Sequence, residues 1–296
     1  MTRPGSTITI VLNTTSGTAD AAQGRLEEAL ARAQVDAEIS AVTGPGVAAA
    51  AERAAGEGRT LVAAGGDGTV STVASAAAGA GVPFGVVPLG TLNHFARDAG
   101  IPADVDEAVG VIAAGRSRPL DAGEVNGRRF LNNLSLGFYV RIVREREVQQ
   151  QRGRRKWTAF AIGLARAWVR YRTMTVRLEV DGAPLVRRTP FVFVGNGAYQ
   201  AEGLDVGKRT SISGGRLSIY IAPECGRFDL LALSLRAIAG RLTPDVKLEA
   251  FTASTLTIET ASSRVTAAID GELIVLRPPL TCVSQPGVLQ TLLPDA

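Results

Sequence analysis

The apolar run that begins at Leu61 stops abruptly at Gly65-Gly66-Asp67-Gly68-Thr69, and an Ala-rich segment of helical character follows. That order dictates a strand, a tight loop and a helix. Glycines without a Cβ let backbone N–H groups come close to an anion, and the helix that follows directs the positive end of its dipole at the same place. The loop is therefore a phosphate site. Asp67 makes it more than a binding loop, because a carboxylate beside a phosphate is repelled unless a divalent cation sits between them or the carboxylate takes up a proton.

Two further segments repeat the pattern. Ile8 to Leu12 is a short apolar strand that runs into Asn13-Thr14-Thr15-Ser16-Gly17, with a helix following through Leu26 and Leu30. Phe84 to Val87 opens into Pro88-Leu89-Gly90-Thr91-Leu92-Asn93-His94-Phe95-Ala96-Arg97. Strands that each end in a Gly-containing loop and start a helix imply an open parallel sheet, with the loops lining a crevice at the carboxyl ends of the strands.

The chain has 296 residues, more than the common single-domain size of about 100–150 residues, so two domains are expected. Strands alternate with Ala-rich helices up to about Leu120. After Glu124 come β-branched alternating runs at Thr175 to Val180, Pro190 to Val194, Leu217 to Ile221, Thr255 to Ile258 and Val265 to Ile269. The expected fold is an α/β N-terminal domain with a parallel sheet, residues 1–121, and a C-terminal antiparallel β-sandwich domain, residues 122–286. The tail, 287–296, is expected to return to the first domain. Asp121 to Arg128 reads as the crossing segment, with Asn126-Gly127 as a turn. Ile269-Asp270-Gly271-Glu272 adds two carboxylates one residue apart. They share a face if the strand continues through Gly271 and flank a bend if Gly271 turns the chain.

GGDGT at 65–69, GTLNHFAR at 90–97 and DGE at 270–272, in this order and spacing, resemble the diacylglycerol kinase catalytic domain family, which includes bacterial lipid kinases, sphingosine kinases and ceramide kinases. The likeness spans nearly the whole chain, and the family is distantly similar to NAD kinases and phosphofructokinases. The resemblance implies that Asn13, Ser16, Gly17, Gly65, Gly66, Asp67, Gly68, Thr69, Gly90, Thr91 and Asn93 hold the phosphates and ribose of ATP. It implies that Asp67 and Asp270 work through Mg2+, and that Glu272 takes the proton of a lipid hydroxyl, with Asp67 as the competing base. The cleft between the domains would hold the nucleotide. Phosphoryl transfer asks for positioning, charge neutralisation and a base, which these residue types supply. The expected activity is transfer of the ATP γ-phosphate to diacylglycerol or a related lipid. An NAD kinase-like enzyme and a catalytically impaired nucleotide- or lipid-binding regulatory protein are the alternatives.

The departures from the family pattern are specific. Many members read Asn-Pro after the first strand and Asn-Asp in the third loop, where this chain has Asn13-Thr14 and Asn93-His94. His94 is the only histidine; it reads either as a pH-sensitive stand-in for a carboxylate or as a hydrogen-bonded neutral residue beside the nucleotide. Asn132 and Asn133 read as a helix cap or as cleft residues.

From Arg141 to Arg172 the chain is densely basic, and Trp157, Phe160, Ala161, Leu164, Trp168 and Tyr171 recur at helical spacing. That stripe either packs against the second domain or lies in the interface of an anionic bilayer, where it would bring the site to a lipid at the membrane surface. No stretch reads as a signal peptide or a membrane span, so the expected location is cytoplasmic, peripheral to the inner face of the membrane. The two cysteines, Cys225 and Cys282, fit reduced thiols rather than a disulfide framework. A net charge of +4 is too small to argue a partner by itself, and no nucleic-acid partner is expected. Edge strands in the second domain offer a route to a homodimer.

Some bacterial members carry aspartates for a structural magnesium in the second domain, where this chain has Ser213-Gly214-Gly215-Arg216-Leu217-Ser218. Hydroxyls and an Arg make a poor magnesium cage. A crystal structure grown with Mg2+ is expected to show no ion coordinated at Ser213 or Ser218, and a coordinated ion there would overturn that reading.

Overall fold

The computed structural model describes residues 8–15, 19–151, 173–199, 209–222, 224, 226 and 248–295. The chain forms two compact units. One takes the chain up to Ala122 together with everything from Pro286 onward, and the other takes Gly123–Gln285.

In the first unit, β1 (Ile8–Asn13), α1 (Ala19–Ala33), β2 (Ala37–Val42), α2 (Val47–Gly56), β3 (Thr60–Gly65), α3 (Asp67–Ala80) and β4 (Phe84–Pro88) alternate regularly. Two more helices follow, α4 (His94–Asp98) and α5 (Val105–Ala114). The strands lie in the order β2-β1-β3-β4, all parallel. Their near-continuous apolar runs are buried on both faces, as a parallel sheet covered by helices on each side requires. Ile10, Leu12, Val62, Ala64 and Val87 pack with Leu26, Leu30, Val105, Val109 and Ile112 of α1 and α5. By strand alternation Val11, Leu61 and Ala63 take the opposite face, and α2 and α3 pack on each other. Both helices turn small residues inward, Ala50, Ala51 and Ala54 from α2, Ala74 and Ala77 from α3. Asp104 caps α5 by accepting from the N–H groups of Asp106 and Glu107 at 2.9 and 3.2 Å.

The strand order has a direct consequence. From β1 the chain moves outward to β2 and then crosses back over β1 to β3, so the winding reverses between β1 and β3. At such a reversal the loops leaving the two strands go to opposite faces and open a crevice at the carboxyl ends.

The second unit is built from antiparallel strands. Segment 121–128 holds the passage from one unit to the other, at Ala122–Gly123, and it is built as strand β5 (Ser117–Val125), the expected turn at Asn126-Gly127 and β6 (Arg128–Phe130). One six-stranded sheet runs β14 (Glu249–Ala253), β13 (Leu217–Ile221), β10 (Phe191–Asn196), β7 (Asn133–Gly137), β16 (Val265–Ile269) and β17 (Glu272–Leu276). A second layer contains β15 (Thr255–Thr260), β8 (Met174–Val180) and β9 (Ala183–Thr189), with β15 paired to the first residues of β18 (Leu280–Leu292). The far end of β18 pairs in parallel with β4 of the first unit's sheet, Thr291 opposite Phe84. A two-stranded ribbon, β11 (Ala198–Tyr199) with β12 (Arg209–Ser211), and helix α6 (Phe138–Gln151) complete the described elements.

Leu134, Leu136, Val192, Val194, Leu217 and Ile219 of the six-stranded sheet meet Val176, Leu178, Leu256, Ile258, Leu280 and Cys282 of the other layer. The sandwich core is thus the interleaving of two alternating apolar faces. The fold is the expected α/β domain plus antiparallel β-sandwich. Asn133 opens β7 rather than capping a helix. The basic stretch 152–172 with its tryptophans, and Cys225, lie outside the described residues.

Packing in the second unit leaves several glycines no room for a side chain, Gly123 among them. A Cβ on Gly123 would sit 2.1 Å from the ring of Phe130, which is fully buried in the same hairpin. Gly123→Ala should therefore destabilise by about 1–3 kcal/mol, the usual cost of overpacking. A lowered urea midpoint with an unchanged slope is the expected reading, and an unchanged midpoint would show that the ring yields freely.

Candidate active site

The crevice of the first unit is assembled from the ends of β1, β3 and β4. Asn13, the last residue of β1, donates from Nδ2 to Thr69 Oγ1 at 2.9 Å, across the reversal point. Its Oδ1 accepts from Thr15 N at 3.1 Å and Thr15 Oγ1 at 2.6 Å, and Thr15 Oγ1 in turn accepts from Gly44 N at 3.0 Å. Thr15 belongs to the 13–17 loop that the sequence singles out, whereas Gly44, a glycine between Thr43 and Pro45, carries no signal of its own. Ser16 and Gly17 lie outside the described residues.

The β3 and β4 loops are pressed together. Leu89 N donates to Gly65 O at 3.0 Å. A Cβ on Gly90 would lie 2.6 Å from Gly66 Cα and 2.6 Å from Asn93 Oδ1, so only a glycine permits this approach. Asn93 sits at φ 47°, a left-handed conformation that Asn tolerates better than most residues, and its Nδ2 donates to Gly90 O at 2.9 Å. Thr91 is exposed. His94 opens α4, and Arg97 donates to its Nδ1 at 3.2 Å.

Gly66 is the N-cap of α3 and Asp67 its first residue. The first-turn N–H groups of a helix have no partner within it and carry the positive end of the dipole. Two buried oxygens in this crevice, Asp67 Oδ1 and Asn93 Oδ1, have no hydrogen-bond partner among the described residues. A buried carboxylate oxygen left unpaired is costly, so this donor set fits a cation or a proton-bearing ligand atom. Among the described residues no three His, Cys, Asp or Glu side chains group into a metal cage. The arrangement suits a magnesium ion held by one carboxylate and completed by phosphate and water oxygens.

The second unit places Asp270 and Glu272 around a two-residue hairpin loop between β16 and β17, with Ile269 opposite Glu272. Gly271 turns the chain, so the two carboxylates flank a bend. Glu272 is exposed. Both oxygens of Asp270 are used by the backbone. Oδ2 accepts from Leu131 N at 2.8 Å, and Oδ1 accepts from Asn132 N at 2.8 Å and Asn133 N at 3.0 Å. Nearby, the buried Arg209 donates to Asn132 Oδ1 at 2.9 Å and lies over the ring of Tyr199, a grouping that sequence separation hides. In segment 213–218, where no magnesium is expected, Ser218 Oγ donates to Gly197 O at 2.8 Å. Ser213 N donates to Ser211 Oγ at 3.2 Å.

Comparison with known proteins identifies both halves of the chain. Residues 7–125 match the family described as diacylglycerol kinase catalytic domain, and residues 134–293 match the YegS C-terminal NAD kinase beta sandwich-like domain. The chain belongs to the diacylglycerol kinase catalytic domain family. It is 51% identical over 81 residues to a Pseudomonas aeruginosa protein named "probable lipid kinase YegS-like", covering 27% of this chain and 26% of the relative. It is 44% identical over 87 residues to a diacylglycerol kinase of Bacillus subtilis, covering 28% of this chain and 29% of that relative. The chain therefore matches between a quarter and a third of these relatives' lengths. A solved structure of a diacylglycerol kinase from Bacillus anthracis shares the fold over 97% of both chains, at a TM-score of 0.71 and 19% identity. Among the described residues no helix is long and apolar enough to cross a membrane.

The contact between the two glycine loops is the feature most open to test. Gly90→Ala must push Asn93 and Gly66 apart, and the expected result is at least tenfold weaker binding of an ATP analogue, about 1.4 kcal/mol, with the unfolding midpoint little changed. Wild-type affinity in the variant would show that the loops do not cradle phosphate.

Proposed function

We propose that this protein transfers the γ-phosphoryl group of ATP to a hydroxyl of a membrane lipid of the diacylglycerol class. The observation that carries the reading is the buried Oδ1 of Asp67, without a hydrogen-bond partner among the described residues, at the N-terminus of α3 beside the Gly66–Gly90 contact. The names borne by the relatives support the lipid as acceptor.

Each group then has a defined task. The first-turn N–H groups of α3 and the glycine loops bind phosphate oxygens, and Asn13 holds Thr69 in place beside them. Asp67 is the carboxylate that would hold a magnesium ion, whose chemistry when bound is neutralisation of the phosphate charge. Glu272 accepts the proton as the lipid hydroxyl oxygen bonds to the γ-phosphorus. The bond from the γ-phosphorus to the β–γ bridging oxygen breaks, ADP leaves with those electrons, and Glu272 returns its proton to water. The enzyme has little covalent chemistry to perform, so positioning and electrostatics carry most of the acceleration.

The test is transfer of radiolabelled γ-phosphate from ATP to diacylglycerol, monoacylglycerol, a sphingoid base and ceramide in mixed micelles containing magnesium, with NAD offered alongside as a soluble acceptor. Label should enter diacylglycerol, and Glu272→Ala should reduce the rate by about 10²–10⁴-fold, the range for a lost general base. Asp67→Asn should reduce it at least as far. Full activity in Asp67→Asn, or label appearing in NADP and in no lipid, would overturn the proposal.

A further inference from the structure

Three hairpins of the second unit are closed by the same device. Each is a two-residue loop of Asn or Asp followed by Gly, with both residues at positive φ: Asn126 and Gly127 at 46° and 80°, Asp181 and Gly182 at 45° and 85°, Asp270 and Gly271 at 47° and 87°. That backbone is the type I′ turn, and it presents the Asn or Asp side chain beside the turn. In every case that residue makes a reciprocal pair with the start of a different strand. Asn126 N donates to Thr281 O at 3.1 Å, while Thr281 N donates to Asn126 Oδ1 at 2.8 Å. Asp181 N donates to Thr255 O at 3.1 Å, while the N–H groups of Ser254 and Thr255 donate to Asp181 Oδ1, both at 2.9 Å. Asp270 N donates to Asn133 O at 2.9 Å, and Asp270 collects the three N–H groups of residues 131–133.

Thr281, Thr255 and Asn133 stand at or next to the first residues of β18, β15 and β7. Each turn therefore fastens the entry of a strand elsewhere in the sandwich. Asn126 does so without charge, which shows that the device needs an oxygen acceptor rather than a carboxylate.

Asp270 differs from its two counterparts in what it secures. The carbonyls of residues 131 and 132 are also taken: Asn196 Nδ2 donates to Leu131 O at 3.1 Å, and Tyr199 Oη donates to Asn132 O at 3.0 Å. The Asn132 side chain is fixed by buried Arg209. Segment 131–133 is thus anchored on both sides of its peptide groups, and the turn that grips it is the one from which β17 starts at Glu272.

We propose that Asp270 is a positioning residue rather than a magnesium ligand: it locks the β16–β17 turn onto segment 131–133 and thereby fixes Glu272. The proposal rests on the kinase reading for the role of Glu272, and the clamp itself stands independently of that reading.

The test compares Asp270→Ala, Asp270→Asn, Glu272→Gln and the double variant Asp270→Ala/Glu272→Gln in the full chain. Asp270→Ala should lower the turnover number about 100-fold, as a misplaced catalytic group does, with the Michaelis constant for ATP and the magnesium half-saturation unchanged. Asp270→Asn should restore turnover to within about fivefold of wild type, an uncharged acceptor replacing a charged one. In the Glu272→Gln background Asp270→Ala should cost little more, because the two act as a unit. Hydrogen exchange at the amides of Leu131, Asn132 and Asn133 should quicken at least tenfold in the Ala variant; in the Asn variant Asn132 and Asn133, whose shared acceptor Oδ1 is kept, should stay near wild type, while Leu131 N, left facing Nδ2, quickens. An Asn variant as inactive as the Ala variant, with magnesium half-saturation raised tenfold, would overturn the proposal in favour of a metal ligand. Additive losses in the double variant, or unchanged amide exchange in Asp270→Ala, would overturn it as well. A wild type that transfers no phosphate while the exchange results hold would count against the kinase reading and leave the clamp in place.

Discussion

A backbone N–H at the end of a strand or the start of a helix has to find an acceptor, and the two units of this protein meet that requirement in opposite ways. In the sandwich the chain supplies its own acceptors: Asn126, Asp181 and Asp270 each receive the amides at a strand entry. In the α/β unit the loops after β3 and β4 hold their amides beside one another with no side chain between Gly66 and Gly90. One arrangement closes the fold upon itself, and the other prepares a surface for an anion.

This contrast accounts for the distribution of carboxylates. Where the backbone is saturated by a carboxylate, the charge has been put to structural use. Asp181 shows the electrostatic result, since the N–H of Thr255, followed by that of Ser254 and the nearby Arg216, holds its carboxyl below the usual range. Where a carboxylate oxygen is buried without a donor among the described residues, as in Asp67, the charge is left open to a ligand. The distinction between the two kinds of aspartate lies in the count of donors, and residue type alone does not carry it.

For the same reason the sequence is legible in some places and silent in others. β1, β3 and β4 are readable because each is a short apolar run ended by a Gly-bearing loop, and the order of those loops identifies the crevice. β2 is harder to read, since its burial is only partial along its length. β5 carries Arg118, Asp121 and Glu124, and β18 runs through Pro286 and Gly287, so both look like connections when taken alone. Asp270 reads as a site residue because it neighbours Glu272 in a recognisable motif, whereas the amides it holds lie 137–139 positions away. Arg209 and Asn132 are separated by 77 residues, and no local pattern announces such a pair.

The three turns have a chemical consequence as well. Asn-Gly and Asp-Gly are the dipeptides most prone to cyclise, because the unhindered glycine nitrogen can attack the preceding side-chain carbonyl and leave an isomerised backbone. That attack requires the side chain to swing back over its own peptide. Asn126 is held at both ends, with Oδ1 accepting from Thr281 and Nδ2 donating to the carbonyls of Arg277 and Pro279, while Asp181 and Asp270 are held through their oxygens. The bonds that join each hairpin to its neighbouring strand thus also shield the chain from covalent ageing at these three turns.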